Sequence, residues 1–342
     1  MKPQEKFLLG LFAGAGAALA AGQLARARRG IGFGGRNVII AGGSRGLGLV
    51  IARKLAAEGA RLCLLARDDR ELDRAKRLIE EETAGAQVLA LRCDVRRRGD
   101  VRTALARVLA EWVAVDVLIN VAGIIQVGPL EHMQQEDFEN AMATHFWGPL
   151  HLMLEVTPVM RRRGFGRIVN ISSIGGRIGV PHLAPYCASK FALVGLSDSM
   201  RAELARHGIR ITTVSPGLMR TGSPPNAQIK GQHQKEYAWF VVSDSLPGLS
   251  ISAERAADQI IDACRHGDAE LTITLPARAA VIANALSPRM FARISEIAAR
   301  LLPGPAGPEG DIARRGRESE SKWAPSAATV LTDRAALANN EL

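Results

Sequence analysis

The feature that most constrains the fold is an apolar strand that runs into a glycine loop and then a helix. Asn37-Val38-Ile39-Ile40-Ala41 is a compact β-type run, and Leu49 to Glu58 has a helical pattern. Between them stands Gly42-Gly43-Ser44-Arg45-Gly46-Leu47-Gly48. Glycines at such a turn let the backbone bend sharply and approach a phosphate, whose charge sits at the helix N-terminus. The same pattern also serves as a plain turn, so its setting has to decide.

The setting is a regular alternation. Arg61 to Ala66, Val88 to Asp94, Val115 to Asn120, Arg167 to Ser172 and Arg210 to Ser215 are further short β-rich runs, separated by helical patterns. Strand–helix alternation builds βαβ units and a parallel sheet. The expected fold class is α/β: a doubly wound, Rossmann-like parallel sheet of about seven strands. It forms one catalytic domain over 36–270, with an N-terminal apolar helix and a C-terminal helical extension.

The ends differ from this middle. Within 1–35, the nineteen residues Phe7 to Ala25 carry no charge, near the ~20 that span a bilayer as a helix. Arg26, Arg28 and Arg29 follow and favour a retained anchor that keeps the domain on the cytoplasmic face. Ala18-Leu19-Ala20 would suit a signal peptidase, and a loosely packed extension is a third reading. Residues 271–302 are apolar with isolated Arg278, Arg289, Arg293 and Arg300. Ala280, Ile282, Ala283, Leu286, Met290, Ile294 and Ile297 recur at helical spacing, so an amphipathic extension is expected. It either rests on the main domain or forms an arm toward a membrane or a lid. Leu301 to Gly310 reads LLPGPAGPEG, a stretch of breakers, and residues 303–342 read as a linker and a charged, flexible tail.

The net charge of +10 raises nucleic acid as a partner. The arginine clusters at 26–29, 96–98 and 161–163 have no interleaved aromatics, which argues against it. A membrane surface or an anionic cofactor suits that charge better. The four cysteines form no C-x-x-C pair and the histidines show no metal-ligand spacing, so no metal is expected. Catalysis points elsewhere. Tyr186 and Lys190 are four apart on a predicted helix and share a face. A free tyrosine has a pKa of about 10, and a nearby ammonium favours its phenolate. Such a pair alone is common. With Ser173 thirteen residues upstream, the glycine loop, and only two tyrosines in the chain, it stands out.

These motifs, in this order, resemble the short-chain dehydrogenase/reductase family over most of residues 37–222. The resemblance rests on Gly42, Gly46 and Gly48 as G-x-x-x-G-x-G, on Asp94-Val95, and on Asn120-Val121-Ala122-Gly123. It continues through Ser172-Ser173, Tyr186-Cys187-Ala188-Ser189-Lys190 and Pro216-Gly217. It implies an oxidoreductase that moves a hydride between a nicotinamide and a carbonyl or secondary alcohol. Tyr186 would exchange the proton, Ser173 would hold the substrate oxygen, and Lys190 would also hold the nicotinamide ribose. Gly42, Ser44, Arg45, Gly46, Leu47 and Gly48 would cradle the pyrophosphate. Asp94 and Val95 would lie near the adenine, with Asn120, Ala122 and Gly123 beside the cofactor. Pro216 and Gly217 would pack under the nicotinamide, and Thr221 would reach its carboxamide.

The cofactor is expected to be NADP(H). Ala66 stands where NAD-using relatives carry a carboxylate, and Arg67 and Arg45 could clamp a 2′-phosphate. One departure from the family is His145, at a position commonly asparagine; it could serve as a proton relay or mark weakened catalysis. Val121 is a milder departure. Substrate choice would fall to the loop 222–249, where Tyr237, Trp239 and Phe240 cluster in an aromatic-poor chain. With Ile174 and Leu183 they suggest a pocket for a hydrophobic carbonyl or alcohol. The resemblance also implies a homodimer or homotetramer. The main alternative is a weak or inactive nucleotide-binding regulatory protein of the same fold; an epimerase or dehydratase is a second.

Overall fold

The computed structural model describes residues 20–341, apart from 247, 322, 323, 327 and 328. The alternation becomes β1 (Asn37–Ala41), α1 (Gly46–Ala57), β2 (Arg61–Ala66), α2 (Asp69–Glu82), β3 (Gln87–Arg92), α3 (Arg98–Trp112) and β4 (Val117–Asn120). The second half follows as α4 (Gln135–Met142), α5 (Gly148–Arg163), β5 (Gly166–Ile171), α6 (Ala184–Ala205), β6 (Ile209–Pro216), α7 (His233–Ser245), α8 (Ala253–His266) and β7 (Glu270–Ile273).

The seven strands form one sheet in the order β3-β2-β1-β4-β5-β6-β7, and every pairing is parallel. Parallel strands buried on both faces need apolar side chains on each side, and β1 shows why the sequence supplies them. Val38 and Ile40 join the core under α1 and α8, while Ile39 and Ala41 join the opposite core under α3 and α5. The strand order reverses between β1 and β4, and a crevice opens there at the carboxyl ends of the strands. The register Ala41↔Asn120↔Asn170 places the glycine loop, Asn120 and the end of β5 around that crevice.

Two expectations about the C-terminal end need correction, while the helical extension is present. The sheet continues past residue 270: Glu270–Ile273 pairs with Thr213–Pro216 as β7. An apolar run of this length cannot be told from helix by periodicity alone. The extension is then two helices, α9 (Leu275–Leu286) and α10 (Pro288–Ala299). The break falls at Ser287-Pro288, because a proline suits the first helical position and cannot sit inside. α10 buries none of its residues, and Leu286, Met290, Ile294 and Ile297 are all more than half exposed.

The segment 303–342 is also not a free tail. Arg314–Arg315 pairs antiparallel with Gln228–Ile229, and Asp311 meets His132 Nδ1 at 2.8 Å. Helix α11 (Val330–Ala338) is tied to α7 by Thr332 Oγ1 and Ser245 Oγ, 2.6 Å apart. These attachments are a short strand pairing and polar contacts to distant parts of the chain, which no local periodicity announces. At the other end, residues 7–19 of the proposed anchor lie outside the described residues. Residues 20–28 are helical, and Arg26 is fastened to Asp262 at 2.5 Å and Asp268 at 2.8 Å. Among the described residues no helix is long and apolar enough to cross a membrane.

Candidate active site

The glycine loop is built by close approach. Gly42 has φ +89°, and a Cβ on it would fall 2.7 Å from the backbone of Ala122. A Cβ on Gly48 would fall 2.0 Å from the Gly42 carbonyl oxygen. The loop, the start of α1 and the Asn120–Gly123 segment therefore meet only because these positions lack side chains. Ser44 and Leu47 are buried with them.

Arg45 does not take its expected position. Its guanidinium is 3.1 Å from Glu71 and 3.3 Å from Asn226 Oδ1, and Ser44 Oγ also donates to Glu71. Glu71, in the first turn of α2, thus pairs with Arg45 across the loop. Arg67 is exposed and lines a cavity of about 480 Å3 with Arg92, Asp94, Arg97, Asp100 and Thr103. Arg92 and Arg97 were not anticipated. The signal lay in the register, since Ala66↔Arg92 puts that arginine beside the end of β2. Asp94 is held below the usual carboxylate range, mainly by its bond to Arg96 at 2.7 Å. Val95 is buried, and its carbonyl meets His151 Nδ1 at 3.0 Å.

Ser173, Tyr186 and Lys190 come together at the other end of the crevice. Ser173 follows β5 and accepts from the Gly175 N–H at 3.1 Å, and its hydroxyl acts on the Tyr186 phenol of α6 in the direction that lowers the phenol's pKa. Lys190, one turn on, donates to the Ile171 carbonyl at 2.8 Å and lies 5.6 Å from the Tyr186 ring centroid. Ser172 turns inward and donates to the Lys190 carbonyl at 3.1 Å.

The electrostatics correct one expectation. Tyr186 as a residue keeps some exposure, but desolvation of its hydroxyl pushes the pKa up to about 12, against the Ser173 bond that lowers it. Burial also brings Lys190 down to about 7. The ammonium was expected to favour the phenolate; it sits over the ring instead, and burial wins. Tyr186 is held as a neutral acid.

His145 lies in a π-helical turn, Ala143–Trp147, between α4 and α5. Such turns interrupt α-helices at functional sites. Its Nε2 accepts from the Ile124 N–H at 3.1 Å, which assigns the proton to Nδ1. Nδ1 then donates to Ser189 Oγ at 2.7 Å, and Ser189 donates to the Tyr186 carbonyl at 2.8 Å. The ring meets Tyr186 edge-on, with centroids 5.4 Å apart. Burial, then Lys190, hold its pKa well below the ordinary value. Both nitrogens are engaged, Nε2 by the Ile124 backbone and Nδ1 through Ser189 with the Tyr186 backbone, which suits a brace better than the expected relay. Gly123 makes room, since a Cβ there would fall 3.2 Å from Nε2.

The remaining cofactor positions surround this set. Asn120 is buried and donates to Asn170 Oδ1 at 2.7 Å. Pro216 ends β6, and Gly217 packs against Thr274 at the start of α9. Thr221 is buried, with its hydroxyl donated to Ser223 at 2.7 Å.

Leu183, Cys187, Tyr237, Phe240 and Val241 form one apolar cluster, with Tyr186 and Trp239 packed on it. The aromatic segment, helical in α7, thus reaches Tyr186. Ile174 is half-buried and outside that cluster. Sequence reasoning missed the polar groups behind it. Glu236 is fully buried, accepts from Trp239 Nε1 at 2.7 Å, and meets His182 Nδ1 at 2.9 Å. Asp244 is buried, and desolvation lifts its carboxyl to about 8.

Comparison with known proteins agrees with this geometry. The model of the short chain dehydrogenase family matches residues 36–230. The chain is 32% identical over 272 residues to dehydrogenase/reductase SDR family member 7B of Danio rerio, covering 78% of this chain and 86% of that protein. It is 34% identical over 224 residues to a putative ketoacyl reductase of Streptomyces coelicolor, covering 65% and 80%. Among solved structures, a variant of actinorhodin polyketide ketoreductase with NADPH superposes with a TM-score of 0.62 at 28% identity, covering 70% of this chain and 96% of that one. With its seven-stranded parallel sheet and its reductase relatives, this chain is an oxidoreductase acting on carbonyl or alcohol groups and belongs to the short-chain dehydrogenase/reductase family.

Proposed function

We propose that the protein is an NADP(H)-dependent oxidoreductase that interconverts an apolar carbonyl compound and its secondary alcohol. The observation that carries this reading is Tyr186 set on one helix with Lys190 5.6 Å from its ring centroid, beside Ser173 and against an apolar wall. The nicotinamide, when bound, supplies or takes the hydride. The protein's own groups manage the proton and the position. Tyr186, held neutral, donates its hydroxyl proton to the carbonyl oxygen during reduction. Ser173 gives that oxygen a second hydrogen bond as negative charge develops on it. Lys190 donates to the Ile171 carbonyl beside the Tyr186 ring, and its remaining N–H groups would hold the nicotinamide ribose. His145 holds the tyrosine backbone through Ser189.

The residues fit a dinucleotide. The loop around Gly42 and Gly48 has no space for side chains, as a pyrophosphate cradle requires. Support for the phosphorylated form comes from Arg67, Arg92 and Arg97 around one cavity, with Ala66 in place of a carboxylate. The NADPH in the ketoreductase neighbour points the same way. Leu154 on α5 and Phe191 on α6 are exposed large hydrophobics, which suits a homodimer or homotetramer through the helices near His145 and Tyr186. The exposed apolar face of α9 and α10, with Arg278, Arg289, Arg293 and Arg300, suits an anionic membrane surface. No observation favours an inactive relic.

One experiment tests the parts together: NADPH oxidation with ketones of increasing chain length, with and without anionic vesicles. kcat/KM should climb with each methylene, by no more than about fourfold (~0.8 kcal/mol per buried CH2). The protein should sediment with the vesicles. A strict preference for small sugars would overturn the apolar substrate. Tight NADPH binding without turnover of any ketone would overturn the enzyme reading, and a protein left in the supernatant would overturn the membrane surface.

A further inference from the structure

The chain's own last described residues lie in the glycine loop. The Gly46 N–H, at the first position of α1, donates to the Asn339 carbonyl at 2.8 Å. Asn340 Nδ2 donates to the Ser44 carbonyl at 2.9 Å, and Arg74 Nε donates to Asn340 Oδ1 at 2.7 Å. The Glu341 carboxylate lies against Gly46, so that a Cβ there would fall 2.9 Å from Oε1, and it accepts from the Gly222 N–H. Asn226 Nδ2 closes the other side by donating to the Glu341 carbonyl at 2.8 Å. Contacts from α1, α2 and the 222–226 turn thus converge on three consecutive residues. α1 has no acidic residue in its first turn, and Arg45 makes no side-chain cap there. An anion is what such a helix start lacks, and Glu341 brings one.

We propose that residues 339–341, carried by α11, are an internal plug of the dinucleotide site, seated where the loop would hold the pyrophosphate. The proposal rests on reading that loop as the cofactor's seat. Binding of the dinucleotide then requires the plug to leave. The seat is imperfect enough to allow this. Asn339 is buried, and neither its Oδ1 nor its Nδ2 has a hydrogen-bond partner among the described residues. Burial also lifts the Glu341 carboxyl to about 7. A displaced plug recovers hydration for both groups. Because Thr332 of α11 bonds Ser245 of α7, departure of the plug also loosens the helix that carries Tyr237 and Phe240. Cofactor entry and the substrate wall would be linked through this contact.

The test is fluorescence titration of NADPH and NADH into the full chain, into a chain lacking residues 330–342, and into N340A and E341A. The truncated protein should bind NADPH about tenfold more tightly, with the point variants in between. A synthetic peptide of residues 330–342 should restore weak binding to the truncated protein by competing with NADPH. Unchanged or weaker binding in the truncated protein overturns the plug. Should that variant fail to melt cooperatively, N340A and E341A decide, and an unchanged Kd in both overturns it. Absence of saturable NADPH and NADH binding in every form would instead refute the cofactor site itself, and the plug with it.

Discussion

The two ends of the crevice are made from different physics. At the catalytic end, Tyr186, Lys190 and His145 are desolvated enough to move each pKa away from its ordinary value. At the far end, Arg67, Arg92 and Arg97 surround a cavity beside an exposed sheet edge, and Arg67 stays in water. Buried groups act through fixed protonation states and short hydrogen bonds. Exposed charges act through long-range attraction that salt screens. The first end should therefore govern the rate of the chemical step, and the second should govern which dinucleotide is held.

The sharpest way to break this contrast is Tyr186→Phe. The substitution keeps the ring, its contact with His145 and the apolar cluster, and removes only the hydroxyl. Loss of a general acid of this kind costs ~10²–10⁴-fold in kcat. Stopped-flow turnover with a saturating ketone should show a fall in that range, while the Kd for NADPH stays within about a factor of two. A fall of less than about tenfold would mean the tyrosine is not the proton donor.

The same contrast explains what could be read from the sequence. The strand runs at 37–41 and 61–66 coincide with β1 and β2, because a strand buried on both faces must be apolar throughout. Gly42, Gly48 and the Tyr186–Lys190 pair were legible because each is a local spacing with a steric or chemical cause. The pairing of Arg45 with Glu71 was not legible, because Glu71 is on the next helix and adjacency along the chain says nothing of that competition. Arg92 and Arg97 needed the sheet register. Residues 339–341 were least legible of all, being separated from the glycine loop by almost the whole chain. Most of their contacts pair a side chain with a distant backbone atom, which leaves no pattern in residue type.

The open end is probed by replacing Arg67 and Arg97 together with alanine. A hydrogen bond to a charged group contributes roughly 1.5–3 kcal/mol, and solvent screening trims that toward its lower end. NADPH binding should weaken about tenfold, NADH binding should barely change, and the loss should shrink as salt rises. Arg45→Ala, by comparison, should leave the NADPH/NADH ratio near its original value, because Glu71 already holds that guanidinium. A ratio untouched by the double substitution would show that this end does not choose the cofactor.

The smallest expected effect distinguishes a brace from a relay at the closed end. His145 is buried and hydrogen-bonded at both nitrogens, and its pKa is depressed in the folded protein. The unfolded chain titrates at about 6.5. Above that pH neither state binds the proton, so no difference in stability arises from this ring. Below it the unfolded state takes a proton that the folded state refuses, and stability falls as pH falls, by up to about 1.4 kcal/mol per pH unit. His145→Asn removes this dependence, so melting curves of the variant should lose less stability than wild type between neutral pH and about pH 5. Its kcat should change only a few-fold, and the acid limb of the pH–rate profile should stay in place, since a ring that never charges cannot set it. An acid limb that moves with the substitution would mean the imidazole does titrate during turnover, and the relay role would replace the brace.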